Sequence, residues 1–323
     1  MARTLPNPQA QGSVAARIPD AGRRFDAPWP LRLWHLASFD APTVAVVWSL
    51  AFAWAAGVRL PLWIPVLLAL IAWAVYVADR LLDARAALRT RNLLGLRERH
   101  LFHHRHRRLL APLAIAAACA AGCIILTLMP APVRERDSVL GAAALVYFTG
   151  VHSTRGQSVR GFFGRVFSGP GFFGRAFSGK SLLFRKELLV GLLFASACAL
   201  PVMSRAAAQG NQAVWPLSAA TAFYALLAWL NCHAIDRWES EPVLSGSRIS
   251  TPAPVLAIAG LLIAYALPPR FAALVAAGAA SALLLTVLDR FGSRLTPLAL
   301  RVAADLVLLT PLALLTPLAL LAR

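Results

Sequence analysis

The chain has 323 residues, 59% of them apolar, with a mean hydropathy of +0.64, which excludes an ordinary soluble domain and points to an integral membrane protein. Its net charge of +18 would suit a nucleic-acid binder, but the basic residues fall in the gaps between apolar runs, the signature of membrane topology, so no nucleic-acid partner is expected. The four cysteines, Cys119, Cys123, Cys198 and Cys232, all lie inside apolar runs and read as small buried residues rather than disulfide or metal partners.

Residues 1–34 are rich in Pro, Ala, Gly and Arg and have no apolar signal-peptide core, so they read as a disordered cytoplasmic tail. Trp29 to His35 is a candidate interfacial segment within its end. Residues 35–323 then form one transmembrane domain. Its apolar runs fall at 41–58, 61–79, 109–129, 138–151, 187–203, 213–233, 253–268, 271–288 and 299–321. Each is read as a membrane helix, which needs about 20 residues to cross the hydrocarbon core. The pattern therefore predicts an all-α polytopic membrane protein with about nine spans.

Charge sets the orientation. With the N-terminus inside, the cytoplasmic segments carry 26 Lys and Arg residues and the outer ones 6. Positive loops stay inside, so a cytoplasmic N-terminus in a cell inner (plasma) membrane is expected. Two of the cytoplasmic loops stand out. Residues 84–108 form a basic loop rich in Arg and His. It reads either as a cap over a phosphate site or as an interfacial helix held by anionic lipid. Its cationic neighbours argue against zinc at the histidines. The insertion 153–182 contains GFFGRVFSGP followed by GFFGRAFSGK, a local duplication with eight of ten positions matched.

The chemistry sits at two helix ends. Asp79, Arg80 and Asp83 close the second run; Asp236, Arg237 and Glu239 close the sixth. Acids at membrane depth are expensive and point to function. Both clusters are expected on the cytoplasmic face, where facing carboxylates repel unless a cation lies between them. Magnesium takes carboxylates together with substrate phosphates. Asp79, Asp83, Asp236 and Glu239 are thus candidate Mg²⁺ ligands, and Arg80, Arg185, Lys186 and Arg237 candidate diphosphate contacts. An apolar bundle beneath them would accept a long hydrocarbon tail, so a lipid diphosphate satisfies all three features. Among other charged residues, Asp305 is expected to pair with Arg301 within its helix, Glu187 to orient Lys186, and Asp289 to pair with Arg290. Tyr147 and Tyr224 are candidate cavity aromatics able to stabilise a carbocation, or plain packing residues.

These motifs resemble the UbiA superfamily of intramembrane prenyltransferases. Ala78-Asp79-Arg80 with Asp83 is similar to the second half of the family's first Asp-rich motif, with Val75 and Tyr76 where the family has Asn and Asp. Asp236-Arg237 with Glu239 resembles the second motif. Asp40-Ala41-Pro42 is similar to the family's Asp-Lys-Pro near the first helix, and Lys186 with Val190-Gly191 to its Lys and Leu-Gly ahead of helix five. The resemblance covers residues 35–321. It implies a UbiA-like bundle of nine helices with a cavity on the cytoplasmic side. It also implies a Mg²⁺-dependent enzyme that moves a polyprenyl group from a prenyl diphosphate to a hydrophobic or aromatic acceptor. Asp79, Asp83, Asp236, Arg80 and Lys186 would be its catalytic residues. The missing Asn and Asp keep a second reading open: a non-catalytic isoprenoid-lipid-binding protein with degenerate Asp motifs. A transporter is disfavoured by the lack of an inverted repeat and of Gly/Pro-broken helices at the midplane.

Overall fold

The computed structural model describes residues 25–89, 97–153, 179–210, 213–240 and 251–316. The 161–180 duplication falls almost wholly outside these residues, as do the side chains of Arg185 and Lys186.

Among the described residues the protein is all-helical. In chain order the helices are α1 (Trp29–Leu36), α2 (Asp40–Ala56), α3 (Trp63–Arg89), α4 (Glu98–Arg105), α5 (Arg107–Thr127) and α6 (Ala131–Ser153). They are followed by α7 (Gly179–Ala208), α8 (Val214–Ser240), α9 (Pro252–Tyr265), α10 (Pro269–Phe291) and α11 (Pro297–Val307). The first eight apolar runs lie largely in helices, and the described part of the ninth, 299–316, is helical through Val307 with a 3-10 stretch at Thr310–Leu314. By length and composition, six described helices can cross a membrane, or seven if the bent pair α1–α2 is one span. Two of the runs fall short for physical reasons. Arg134, Glu135, Arg136 and Asp137 crowd the start of α6 and leave too short an apolar stretch after them. At 14 residues, α9 covers about 21 Å of a hydrocarbon core about 30 Å thick.

The turn between α1 and α2 positions the site. Pro28 and Pro30 start α1, and Ser38 ends the connection in the left-handed region at φ +64°, where a β-carbon is strained. The result is an 88° bend that folds α1 back over the N-terminus of α2. At its other end α2 stops at Gly57, whose φ of +66° suits glycine, while Val58 N–H closes on the Ala53 carbonyl at 2.9 Å. Phe25 pairs with the segment before α11: its N–H reaches the Arg294 carbonyl at 2.8 Å, and its own carbonyl accepts from Thr296 N–H at 2.9 Å.

The core sits among α2, α7, α8, α9, α10 and α11. Trp48 and Tyr224 stack with ring centroids 3.8 Å apart, and Trp48 Nε1 donates to the Leu308 carbonyl at 2.8 Å. Small residues let the backbones approach, as membrane helices require. The Phe223 ring fills the space a β-carbon would need at Gly260 and at Gly278, 2.6 and 2.7 Å away respectively. A β-carbon at Gly191 would lie 2.6 Å from the Ala225 carbonyl oxygen, so α7 and α8 are in near backbone contact there. The outer face is apolar; Ile115, Leu126, Val139, Ile258 and Leu262 are all exposed, as suits contact with lipid. Cys119 and Cys123 are exposed on α5, contrary to the expectation of burial, because their helix packs by its opposite, alanine-rich face. Cys198 is buried as expected.

Candidate functional site

Helix α3 has 27 residues and continues ten beyond the apolar run that predicted it, and α8 likewise runs on to Ser240. Both therefore carry their charged ends past the apolar slab, where α4 lies across them. A cavity of about 240 Å³ opens at this level. Its polar wall is Asp40, Tyr76, Arg80, Arg97, Arg99, Asn231, Asp236, Glu239, Arg301 and Asp305, with Cys232 beside Asn231. Its apolar wall is Ala41, Val44, Val190, Gly191, Phe194, Ala228, Ile235 and Leu308.

Of the four predicted diphosphate contacts, Arg237 is half-buried on α8 outside the cavity wall, and the side chains of Arg185 and Lys186 lie outside the described ones. Arg80 does line the cavity and is only 3% exposed. Its guanidinium donates to the His35 carbonyl at 2.9 Å and to Asp40 Oδ2 at 3.2 Å, and lies 5.8 Å from the Tyr76 ring.

Asp40 anchors a buried network. His35 Nδ1 lies 2.8 Å from Asp40 Oδ2 and 3.2 Å from Asp305 Oδ2, though neither contact has good hydrogen-bond alignment. Asn231 donates to Asp305 Oδ1 at 3.4 Å, and its own carbonyl oxygen is buried without a hydrogen-bond partner. Among the described residues, His35, Asp40 and Asp305 are the one group of three potential metal ligands whose donor atoms all lie within 4.8 Å of one another. The Arg80 guanidinium on Asp40 opposes a divalent ion there, because it already balances that carboxylate.

The predicted pairing of Arg301 with Asp305 gives way to longer-range partners. Asp305 turns to His35 and Asn231, and Arg301 donates to Glu239 Oε1 at 2.7 Å. Arg99 also reaches Glu239 Oε1, at 3.3 Å, and Arg97 pairs with Glu239 Oε2. Both carboxylate oxygens of this candidate metal ligand are thus taken by arginines. Glu187 bonds His233 at 3.0 Å, and Asp289 accepts from Trp238 Nε1 at 2.7 Å, so both acids also reach across helices; the Lys186 side chain lies outside the described ones.

The two acidic helix ends do come together, around α4. Asp236 and Asp83 both act on the Arg97 guanidinium; burial holds Arg97 below its ordinary pKa and these two carboxylates oppose that. His100 Nε2 lies 4.0 Å from Asp83 Oδ2, and Asp79 is close enough to act on the same ring. Asp79 and Asp83 stand on the α4 side and do not line the cavity directly, whereas Asp236 and Glu239 do. No three of these four acids gather as tightly as the His35 group. Burial lowers the pKa of His100, against the pull of Asp83. Burial and the Arg80 charge push His103 down to about 4. His103 is fully buried; its Nε2 lies 3.1 Å from Ser38 Oγ and its Nδ1 2.8 Å from the Arg99 carbonyl. It therefore pins α4 to the strained α1–α2 turn.

Tyr224 is a packing residue against Trp48 and Phe52 rather than a cavity aromatic, and Tyr147 also lies outside the cavity wall. Tyr76 takes the place expected of them. Arg97 and Arg99 belong to the basic 84–108 loop that reads from sequence as a candidate cap over a phosphate site, whereas sequence reasoning missed His35, Asn231 and Arg301 as site residues. Their signals were present: a polar Asn in an apolar run, and Arg301 and Asp305 inside the last one.

Compared with protein-family models, curated proteins and solved structures, the chain gives no match.

Proposed function

We propose that the protein is a divergent intramembrane prenyltransferase of the UbiA type, with nine helices in the bundle and the cavity on the cytoplasmic side. The observation that carries this reading is the cavity wall: four arginines and the acidic end of α8 stand over an apolar floor, with the acidic end of α3 beside it at α4. That is the division a prenyl diphosphate requires, an anionic head with a hydrocarbon tail. At about 240 Å³ the cavity is smaller than most pockets for drug-sized ligands, about 300–1,000 Å³, so a long tail continues between helices into lipid.

Asp83 and Asp236 both face the Arg97 guanidinium, which would have to give way for a metal to enter between them. Asp79, Asp83 and Asp236 would hold Mg²⁺ together with the substrate's phosphate oxygens, since magnesium needs only one or two protein carboxylates in such sites. Bound there, it would neutralise charge on the departing diphosphate. The chain supplies the rest. Arg80, Arg97, Arg99 and Arg301 stabilise the diphosphate as the allylic C–O bond breaks and the electron pair leaves with oxygen. Val44, Val190, Phe194, Ala228 and Leu308 hold the first isoprene units, and the Tyr76 ring faces the cation left behind. The acceptor forms the new bond to that carbon and loses a proton. Asp305, backed by His35, lines the cavity as a place for it.

Pyrophosphate release tests the proposal, using purified protein in detergent with geranylgeranyl or farnesyl diphosphate, with and without Mg²⁺. Release that requires Mg²⁺ and disappears in Asp79→Ala and Asp236→Ala variants of intact fold is the expected result. Undiminished release in both variants would sink it. The second reading is a non-catalytic isoprenoid-binding protein. It is favoured by the arginine-filled Glu239 and by Tyr76 in place of an Asp, and it predicts diphosphate binding with no release whatever the acceptor.

A further inference from the structure

Glu239 is the most heavily paired carboxylate of the cavity. Three guanidiniums from two separate elements, Arg97 and Arg99 at the start of α4 and Arg301 on α11, converge on its two oxygens. The side chains of Glu239 and Arg99 are each 13% exposed and that of Arg301 19%, while Arg97 is 40% exposed, so the knot is desolvated on its inner side and open at Arg97. Among the described residues, Glu239 is the one carboxylate bonded to all three guanidiniums, with Asp83 and Asp236 also acting on Arg97. Arg301 Nε is buried without a hydrogen-bond partner, so the knot still has a donor to offer. A planar fork of guanidinium donors matches phosphate oxygens as well as carboxylate oxygens. The knot lies at the cavity rim, the level at which the head of a bound amphiphile would sit.

We propose that Arg97, Arg99 and Arg301 form an anion clamp that Glu239 occupies as a placeholder and that a diphosphate group takes over. Glu239 thereby acts as a competitor for the clamp instead of a metal ligand, and its side chain swings out when the anion enters. Because two of the three arginines come from α4, exchange of the carboxylate for a diphosphate also decides whether α4 stays fastened to α8 and α11. The clamp deepens the prenyl diphosphate reading by naming where the head binds, but it can be tested without any prenyl chemistry.

The probe is inorganic pyrophosphate, titrated by calorimetry into the full chain in detergent, with geranylgeranyl diphosphate as a second arm. Removing the competitor by Glu239→Gln is expected to tighten pyrophosphate binding about tenfold, the scale of one charge-assisted hydrogen bond freed from competition. Arg301→Gln is expected to weaken it by a similar factor. Equal or weaker binding by a folded Glu239→Gln protein would overturn the placeholder. If that variant does not fold, Arg99→Gln and Arg301→Gln decide, because unchanged pyrophosphate affinity in both overturns the clamp. If both arms follow the clamp and wild-type protein releases no pyrophosphate from the prenyl substrate, the clamp stands and the transferase reading fails. If prenyl diphosphate is turned over while pyrophosphate binding ignores all three variants, the clamp fails and the transferase stands.

Discussion

Asp40 and Arg80 offer the most exposed test of how this site is held. Asp40 is 4% and Arg80 3% solvent-exposed, and a single oxygen, Asp40 Oδ2, serves both Arg80 at 3.2 Å and His35 at 2.8 Å. At that separation and an effective dielectric near 20 the Coulomb attraction is about 5 kcal/mol. Asp40→Ala removes it and leaves Arg80 buried, facing only the His35 carbonyl and the Tyr76 ring. Breaking one side of a buried pair costs about 3–5 kcal/mol. Asp305 remains nearby, bonded through His35, which places the expected loss near the lower end, about 3 kcal/mol. Replacing both members with Asp40→Ala and Arg80→Met removes the stranded charge and should recover more than half of it. The assay is equilibrium unfolding in mixed micelles for wild type, both single variants and the double. A loss below about 1 kcal/mol in Asp40→Ala, or additive losses in the double variant, would refute a coupled buried pair.

Two further outcomes follow from the cap and the helix contacts. His103 titrates near 4 in the folded protein against 6.5 ordinarily, and His100 is shifted in the same direction. Below pH 6.5 the unfolded chain therefore binds protons that the folded chain does not. Stability is full above that pH and falls through to pH 4, at up to about 1.4 kcal/mol per unit for each proton. Thermal unfolding between pH 7.5 and 4.5 should show this slope, and His103→Asn should flatten it; a slope that survives in both His100→Asn and His103→Asn variants would place its origin elsewhere. Gly191→Ala would force a β-carbon to 2.6 Å from the Ala225 carbonyl oxygen and 2.9 Å from Trp229 N. It should cost about 1–3 kcal/mol by overpacking and weaken geranylgeranyl diphosphate binding, because α7 and α8 both wall the cavity. Gly122→Ala, with nothing within 4 Å, is the control and should be neutral or slightly stabilising.

Much of this architecture is legible from periodicity and charge. The described apolar runs are helical because apolar runs of spanning length have no other stable form in lipid. The ends are less legible. Hydropathy stops at Asp79, but α3 continues to Arg89 because its last turns leave the apolar slab and satisfy their charges against α4. The site shows the same limit in another form. Local spacing pairs Arg301 with Asp305, since only neighbours are visible in a sequence. In the folded chain, partners from distant elements win: Glu239 for Arg301 and His35 for Asp305. His35 could not be placed at all without the bend at Ser38, a left-handed serine that no propensity rule anticipates.

The two departures from the first Asp-rich motif are not equivalent. Val75 is 45% exposed, so an Asn there would stand away from the cavity; Tyr76 lines it. Only Tyr76 alters the chemistry, by exchanging a carboxylate for a ring beside Arg80. The remaining acids of the cavity wall are also committed. Asp40 and Asp305 serve His35 and Arg80, and Glu239 serves three arginines, which leaves Asp236 as the wall carboxylate a metal would use once Arg97 turned from it to an anion. A site so arranged handles its anion mainly with guanidiniums. On the transferase reading, the magnesium requirement then falls on Asp236, Asp83 and Asp79 alone, and the arginines, which need no metal, hold the head. On the same reading Tyr76 adds no carboxylate beside Arg80, whose charge Asp40 already balances, and its ring lies 5.8 Å from that guanidinium.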